Sequence, residues 1–288
     1  MQFLGYIFAR AFFELFRLVP FWLLHRMADG MAWLFFTFGY RRDVVFGNLR
    51  RCFPEKSDAE IRQIAREAYR NLADITLESV KSLTTPLAEI NRRYRYHNAE
   101  AMNRYLDAGR SVLLVGGHYG NWEWAALTMA RDYRGTAVGV YKPLSNKYLD
   151  AWMLHQRMRD GRMVMKAMKE TFAAVEQHKS DPAVFILVAD QSPSNRRTAH
   201  WVQFFGQDTA CLPGVDVIAR ANGFPVFWYK IRRVRRGFYE MYYSEICPDP
   251  KATQPGDITQ QFMSALEADI REQPENWLWS HRRWKMTR

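Results

Sequence analysis

The chain has 288 residues, 48% of them hydrophobic, so it can bury a substantial core in one large domain or in two smaller ones. No Pro/Ser/Gly-rich linker, low-complexity tract or fixed-period repeat interrupts it, which argues against a repeat array and favours one domain with an N-terminal helical extension. The formal net charge of +11 predicts an anionic partner, such as nucleic acid, phospholipid headgroups, a phosphorylated lipid or an acidic carrier protein.

The N-terminal segment is rich in Phe, Leu, Trp and Met but carries scattered charges. Its longest uncharged stretch, residues 30–40, has 11 residues, whereas a membrane-spanning helix needs roughly 18 to 20. We therefore expect no clean transmembrane span. Because no charged leader with a small-residue cleavage site is recognisable, we expect the segment to be retained on the cytoplasmic side.

Helical spacing gives this segment a charged face and an apolar face. The charged face carries Arg10, Glu14 and Arg17, and the apolar face carries Leu4, Phe8, Phe12 and Leu15. This pattern is typical of an amphipathic helix that lies at a membrane interface. Pro20 would end it, and a second apolar helix is predicted over residues 21–38. We assign residues 1–39 to membrane-associating helices; the alternative is that they only cap a globular core.

Residues 40–288 are predicted to form an α/β domain: a mixed, mostly parallel central sheet flanked by helices. A helix over residues 58–83 begins at the capping sequence of residues 57–60. Strands are predicted at 111–115, 136–141, 183–189 and 225–231, with helices at 122–131, 146–160, 166–178 and 214–222. Residues 224–234 and 238–246 are expected to pair as a hairpin, and a last helix spans 257–271.

His118 is the strongest candidate for chemistry, because it follows the first of these buried strands in a glycine-rich turn. Asn121 is the predicted N-cap of the next helix, and Glu123 lies in that helix's first turn. Glu123 could then accept a hydrogen bond from one ring nitrogen and leave the other free as a base. The alternative is a buried histidine bonded to a carbonyl, with Glu123 solvated. We expect no metal, since no further ligand stands at zinc spacing.

Asp190 follows the predicted strand at 183–189, as His118 follows the strand at 111–115. Ligands of open α/β sheets gather at the carboxyl ends of strands, so both residues are predicted to belong to one site. An ordinary turn after a buried strand is the alternative for Asp190. Three cysteines, Cys52, Cys211 and Cys247, are odd in number and far apart, which favours free structural thiols in a reducing compartment.

Residues 116–123 resemble the His-x4-Asp/Glu motif of glycerolipid acyltransferases, and their full form is similar to that of the bacterial lipid A late acyltransferase family. Further blocks match that family in order, and together they cover most of residues 40–285: 40–55, 141–161, 189–193, 204–206, 212–214 and 276–285. Glu123 stands where many glycerolipid acyltransferases carry Asp, and this longer carboxylate can still orient a ring.

The resemblance implies a glycerolipid acyltransferase-like fold and a membrane-associated enzyme at the cytoplasmic face of the inner membrane. The donor would be an acyl carrier protein thioester, with acyl-CoA as the alternative, and the acceptor a lipid A precursor or related glycolipid. No cofactor is expected. The catalytic residues implied are His118, Glu123, and Arg157 or Arg159, one of which would hold the oxyanion. The substrate-binding residues are predicted to be Gly117, Asn121, Tyr141, Lys142, Asn146, Asp190 and Gln191.

Two other kinds of protein fit parts of the sequence. A non-catalytic membrane-associated adaptor that binds anionic lipid or an acidic partner would explain the charge and the N-terminal segment, but not the glycine-flanked histidine. Nucleic-acid binding is not expected, because no basic helix or known recognition signature organises the many aromatic residues.

Overall fold

The computed structural model describes residues 2–178 and 181–286. Five helices come first: α1 (Gln2–Arg17), α2 (Phe21–Thr37), α3 (Arg42–Cys52), α4 (Asp58–Ser82) and α5 (Leu87–Arg93). The remaining helices are α6 (Glu100–Asp107), α7 (Trp122–Thr128), α8 (Lys147–Arg157), α9 (Thr171–Gln177), α10 (Gly214–Asn222) and α11 (Asp257–Glu272). The strands are β1 (Tyr94–His97), β2 (Val112–Gly116), β3 (Thr136–Tyr141), β4 (Met163–Ala167), β5 (Ala183–Val188), β6 (His200–Phe204), β7 (Gln207–Cys211), β8 (Val226–Arg235) and β9 (Phe238–Cys247).

Seven strands form the central sheet, in the order β1-β9-β8-β2-β5-β3-β4. All neighbouring pairs are parallel except the β8–β9 hairpin. Strands β6 and β7 form a separate antiparallel pair. The mixed, mostly parallel α/β sheet and the predicted hairpin are thus confirmed. All five residues of β2 are buried, as expected for a strand that is covered by helices on both faces.

Several elements differ from the prediction. A helix was predicted at 166–178. The first two residues of this range are instead the end of the edge strand β4, and a 3-10 turn and the short helix α9 follow. The Met-rich β4 sequence favours a helix locally, but pairing along β3 outweighs that preference. Elements α3, α5, β1, α6 and the β6–β7 hairpin were not predicted, because each helix or strand among them has only 4 to 11 residues.

The N-terminal helices contact the body of the protein unequally. Helix α2 packs on α4 and buries Leu24 and Ala28 completely. Helix α1 lies against α8, where Phe13 stacks on Trp152 with ring centroids 4.9 Å apart. The predicted apolar face of α1 stays in solvent: Leu4, Phe8, Phe12 and Leu15 are 61%, 73%, 53% and 68% exposed. Within the described part of the chain, no helix has the length and apolarity to cross a membrane.

Glu78 on α4 is a fully buried carboxylate that joins four elements. Its oxygens accept hydrogen bonds from Asn121 at 2.7 Å and from the Tyr239 hydroxyl at 2.7 Å, and one lies 3.0 Å from Nε2 of His25 on α2. The backbone carbonyl of Glu78 accepts from the Trp124 indole at 3.0 Å. A buried carboxylate with this many donors ties α2, α4, the start of α7 and β9 together.

We expect Glu78→Ala to lower the free energy of unfolding by about 3 to 5 kcal/mol, because it leaves buried donors on Asn121 and Tyr239 without their acceptor. Urea unfolding of the purified protein measures the change. Glu67→Ala is the matched control on the same helix: Glu67 is exposed and accepts only from Gln63 at 3.2 Å. Equal midpoints for the two variants would contradict the role given to Glu78.

Candidate active site

His118 lies in the turn between β2 and α7, at the carboxyl edge of the sheet. Asn121 caps α7, as predicted: its Oδ1 accepts from the Trp124 backbone N–H at 3.0 Å. Asn121 is also fully buried against Glu78, so it holds the turn in place and does not face the solvent side of the site. Gly120, at φ +61°, takes a left-handed conformation there, and a Cβ would lie 2.5 Å from Cγ2 of Ile231.

Asp190 is the hydrogen-bond partner of the His118 ring. Strands β2 and β5 are parallel neighbours, so the residues that follow them meet at one edge. Nδ1 of His118 lies 2.6 Å from Oδ1 of Asp190, and the His118 backbone N–H donates to Oδ2 at 3.1 Å. The Trp277 indole donates to the same Oδ2 at 2.9 Å. The predicted convergence of His118 and Asp190 is confirmed.

The expected hydrogen bond from the His118 ring to Glu123 is wrong. Glu123 instead pairs with Arg157 on α8, with Oε2 2.9 Å from Nη2. Five residues, 117–121, connect β2 to α7, so Glu123 lies in the first turn of α7, where it reaches Arg157 on α8. Glu123 still acts on the imidazole through its charge.

Burial alone would lower the pKa of the His118 imidazole, but the negative charge and hydrogen bond of Asp190, with the charge of Glu123, raise it above its usual value. Burial would likewise raise the pKa of Asp190, yet the His118 charge, the His118 and Trp277 hydrogen bonds and the backbone N–H lower it to about 2. Asp190 is therefore ionised at neutral pH. An ionised carboxylate at Nδ1 fixes the tautomer in which Nε2 is free to accept a proton.

A cavity of about 560 Å³ opens beside the His118 ring. One group of lining residues is polar: His118, Glu123, Tyr141, Lys142, Asp150, Arg157 and Gln191. Most of the others are apolar and come from β3, β4, β5, α8, α9 and α10, including Val140, Met153, Leu154, Met165, Leu187 and Ile218. Nε2 of His118 faces this polar group and lies 3.3 Å from Nε2 of Gln191, its hydrogen-bond partner there. The cavity suits a ligand with a long apolar part and a polar reacting group.

The structure separates the two candidate arginines. Arg157 lines the cavity beside Glu123. Arg159 points away: its guanidinium donates to the carbonyls of Ser82, Leu83 and Thr85 at 2.9, 3.0 and 2.6 Å. It therefore satisfies free carbonyls at the end of α4, and its predicted place in the catalytic group is wrong.

The predicted substrate-binding residues divide in a similar way. Tyr141, Lys142 and Gln191 line the cavity. Asn146 does not: it caps α8 and donates to the Gln2 carbonyl at 2.9 Å, which ties α1 to α8. Gly117 is buried, and a Cβ there would lie 3.4 Å from Cγ of Asp190, so it makes room for that carboxylate. Asn121 and Asp190 support the turn and the ring and are not cavity walls.

Two residues of the site were missed by sequence reasoning. Glu78 lies on a buried face of α4 that also carries Asn71, Asp74 and Lys81, so no isolated acid in an apolar stripe marks it in the sequence. Trp277 lies in the sequence block 276–285, but nothing in the sequence indicates that its indole reaches Asp190. Among the described residues, no group of three His, Cys, Asp or Glu side chains is arranged to hold a metal ion. The three cysteines are buried and free, as expected.

Comparison with known proteins gives one consistent result. The model of the family described as bacterial lipid A biosynthesis acyltransferase matches residues 2–286. The lipid A biosynthesis lauroyltransferase of Escherichia coli K12 is 26% identical over 275 residues, which cover 93% of this chain and 87% of that protein. The lipid A biosynthesis palmitoleoyltransferase of the same organism is 23% identical over 248 residues, covering 85% and 79%. The chain belongs to the bacterial lipid A biosynthesis acyltransferase family and is an acyltransferase.

Proposed function

We propose that this acyltransferase moves a fatty acyl chain from an acyl carrier protein thioester to a hydroxyl of a lipid A precursor or related glycolipid, at the cytoplasmic face of the inner membrane. One observation supports it most: Asp190 holds Nδ1 of His118, and Nε2 of the same ring faces a cavity that combines polar groups with apolar walls. The two relatives, a lauroyltransferase and a palmitoleoyltransferase of lipid A biosynthesis, agree with an acyl donor and a lipid acceptor.

His118 acts as the base in this proposal. Nε2 takes the proton of the acceptor hydroxyl while the oxygen attacks the thioester carbonyl, and a tetrahedral oxyanion forms. The intermediate collapses by breaking the carbon–sulfur bond, and the imidazolium returns its proton to the leaving thiolate. Asp190 stabilises the imidazolium that forms between the two steps. No acyl-enzyme is needed.

Arg157 is the cation proposed to hold the oxyanion. Arg157 lines the same cavity as His118 and Glu123. Its ion pair with Glu123 fixes the position of the guanidinium, and the charge of Glu123 also acts on the His118 ring. A guanidinium that is already positioned stabilises a developing negative charge without reorganising. The His118 backbone N–H donates to Asp190 and is therefore not assigned to the oxyanion. Glu123 is thus proposed to position Arg157 and to raise the basicity of the ring.

The acyl carrier protein donor is supported by charge, since a net +11 favours an acidic partner over a neutral one. Acyl-CoA, which carries phosphates, remains the alternative donor. A non-catalytic adaptor would have no use for a base aligned by Asp190 at the mouth of a cavity. The test incubates purified protein with acyl carrier thioester and lipid A precursor, with acyl-CoA in a parallel reaction, and follows the lipids by mass spectrometry. A gain of one acyl mass supports the enzyme; an unchanged lipid with both donors contradicts it.

Membrane association is proposed from the exposed apolar face of α1. We expect Phe8→Ser with Leu15→Ser to reduce partition into phospholipid vesicles by about 100-fold or more, because each buried large apolar side chain contributes roughly 1.5 to 3 kcal/mol. Vesicle sedimentation measures the partition. The control is Gln2→Ser, which changes an exposed polar residue of α1 and should leave the partition unchanged. Phe13→Ser is not a suitable control, because Phe13 packs on Trp152. Wild-type partition of the double variant would contradict this role of α1.

A further inference from the structure

Three arginines surround one aromatic ring near the end of α2. The Cζ atoms of Arg42 on α3 and of Arg62 and Arg66 on α4 lie 5.9, 5.9 and 5.4 Å from the centroid of the Phe36 ring. We call these three residues the arginine cluster. All three are exposed, while Phe36 is half-buried, so the ring holds the guanidiniums at the surface by cation–π contact.

The arginine cluster has no acidic partner. In the ranges 2–178 and 181–286, no carboxylate lies within ion-pair distance of Arg42, Arg62 or Arg66. Neighbouring arginines differ in this respect: Arg50 pairs with Asp58 at 3.1 Å, and Arg70 pairs with Asp29 at 3.3 Å. Three like charges, each within a Debye length (about 8 Å at physiological salt) of the same ring, repel one another. An anion that binds among them would remove this repulsion.

Exposed apolar side chains lie beside the cluster on the same helix end and the following turn. Trp33, Leu34, Phe38 and Tyr40 are 63%, 46%, 78% and 44% exposed. Aromatic rings next to arginines are typical of protein surfaces at the headgroup level of a bilayer, where the rings enter the apolar boundary and the guanidiniums meet phosphates. An acidic protein partner would match the charges but gives less reason for exposed Trp33 and Phe38.

We propose that the arginine cluster binds the phosphate of an anionic phospholipid headgroup, so that the protein has a second membrane contact besides the apolar face of α1. This inference rests on the membrane association proposed above and adds a lipid preference to it. Arg42 and the pair Arg62 and Arg66 come from different helices, so the site is formed only when α2, α3 and α4 are packed together.

The experiment compares partition of the full chain into vesicles of phosphatidylcholine alone and of phosphatidylcholine with phosphatidylglycerol. Wild-type protein should bind both and prefer the anionic vesicles. Arg62→Gln with Arg66→Gln should reduce binding to anionic vesicles roughly 25-fold, at about 5-fold per guanidinium, and leave binding to neutral vesicles unchanged. Arg95→Gln with Arg104→Gln is the control: both residues are exposed, lie outside the cluster and change the net charge equally. It should retain most of the preference.

The outcomes separate this inference from the proposed membrane association. Equal loss in the two double variants would show a general charge effect and overturn the cluster as a site. Unchanged binding of the cluster variant to anionic vesicles would also overturn the cluster as a lipid site. If the same variant loses a cross-link to an acidic acyl carrier protein, the cluster belongs to that partner instead. Failure of the wild-type protein to bind either kind of vesicle would instead contradict the association through α1.

Discussion

Replacing His118 with alanine is expected to reduce acyl transfer by at least about 10²- to 10⁴-fold, the range that a positioned general base contributes. Asp190 holds Nδ1 of the ring at 2.6 Å, and Nε2 faces the cavity beside Gln191. Its side chain is 19% exposed and packs edge-on to Trp122, so its removal should leave the core intact. Initial rates measured by mass spectrometry of the lipid product give the loss.

The matched control is His155→Ala. His155 lies on α8, only two residues from Arg157, but it is exposed and does not line the cavity. This variant should transfer acyl groups at the wild-type rate, and both variants should show wild-type circular dichroism and vesicle binding. Transfer retained by the His118 variant, in protein that is folded and membrane-bound, would refute the assignment of the base.

The sheet could be predicted because its central strands are continuous apolar runs that end at turns. Residues 111–115, 136–141 and 183–189 correspond to β2, β3 and β5 within one or two residues. Elements such as β1 and β4 could not be predicted from their own short sequences, since pairing with β9 and β3 supplies most of what stabilises them.

The sequence could locate the site but could not predict which of its residues contact one another. Strand order places His118 and Asp190 at one edge, yet the 2.6 Å contact depends on β2 and β5 being neighbours, which no local pattern specifies. Spacing within one turn favoured Glu123 as the ring's partner, although a residue 72 positions away holds that place. Arg157 and Arg159 are two residues apart in the sequence. Helix α8 ends at Arg157, so Arg157 lines the cavity while Arg159, beyond the helix end, reaches the end of α4.

Asp190→Asn is expected to reduce acyl transfer by about 10³- to 10⁴-fold, as loss of the orienting carboxylate does in other histidine bases. The reason lies in the three donors around Asp190. Two of them, the His118 backbone N–H and the Trp277 indole, point at Oδ2 and would hold the amide oxygen of the new side chain. The amide NH₂ would then face Nδ1 of His118, donate to it, and leave the proton on Nε2, where the base must be free.

The pH dependence distinguishes this positioning role from simple damage to the fold. His118 must be neutral to accept a proton, so activity falls on the acid side as the ring becomes protonated. Asp190 raises the pKa of His118 in the wild-type protein. Without that charge the acid limb of the Asp190→Asn variant's residual activity should move to lower pH. Glu123→Gln, which retains the 2.6 Å contact, should move the limb in the same direction but by less, because Asp190 acts on the ring through its charge and a hydrogen bond, whereas Glu123 acts through its charge. An acid limb that does not move in the Asp190 variant would show that the carboxylate does not act on the imidazole.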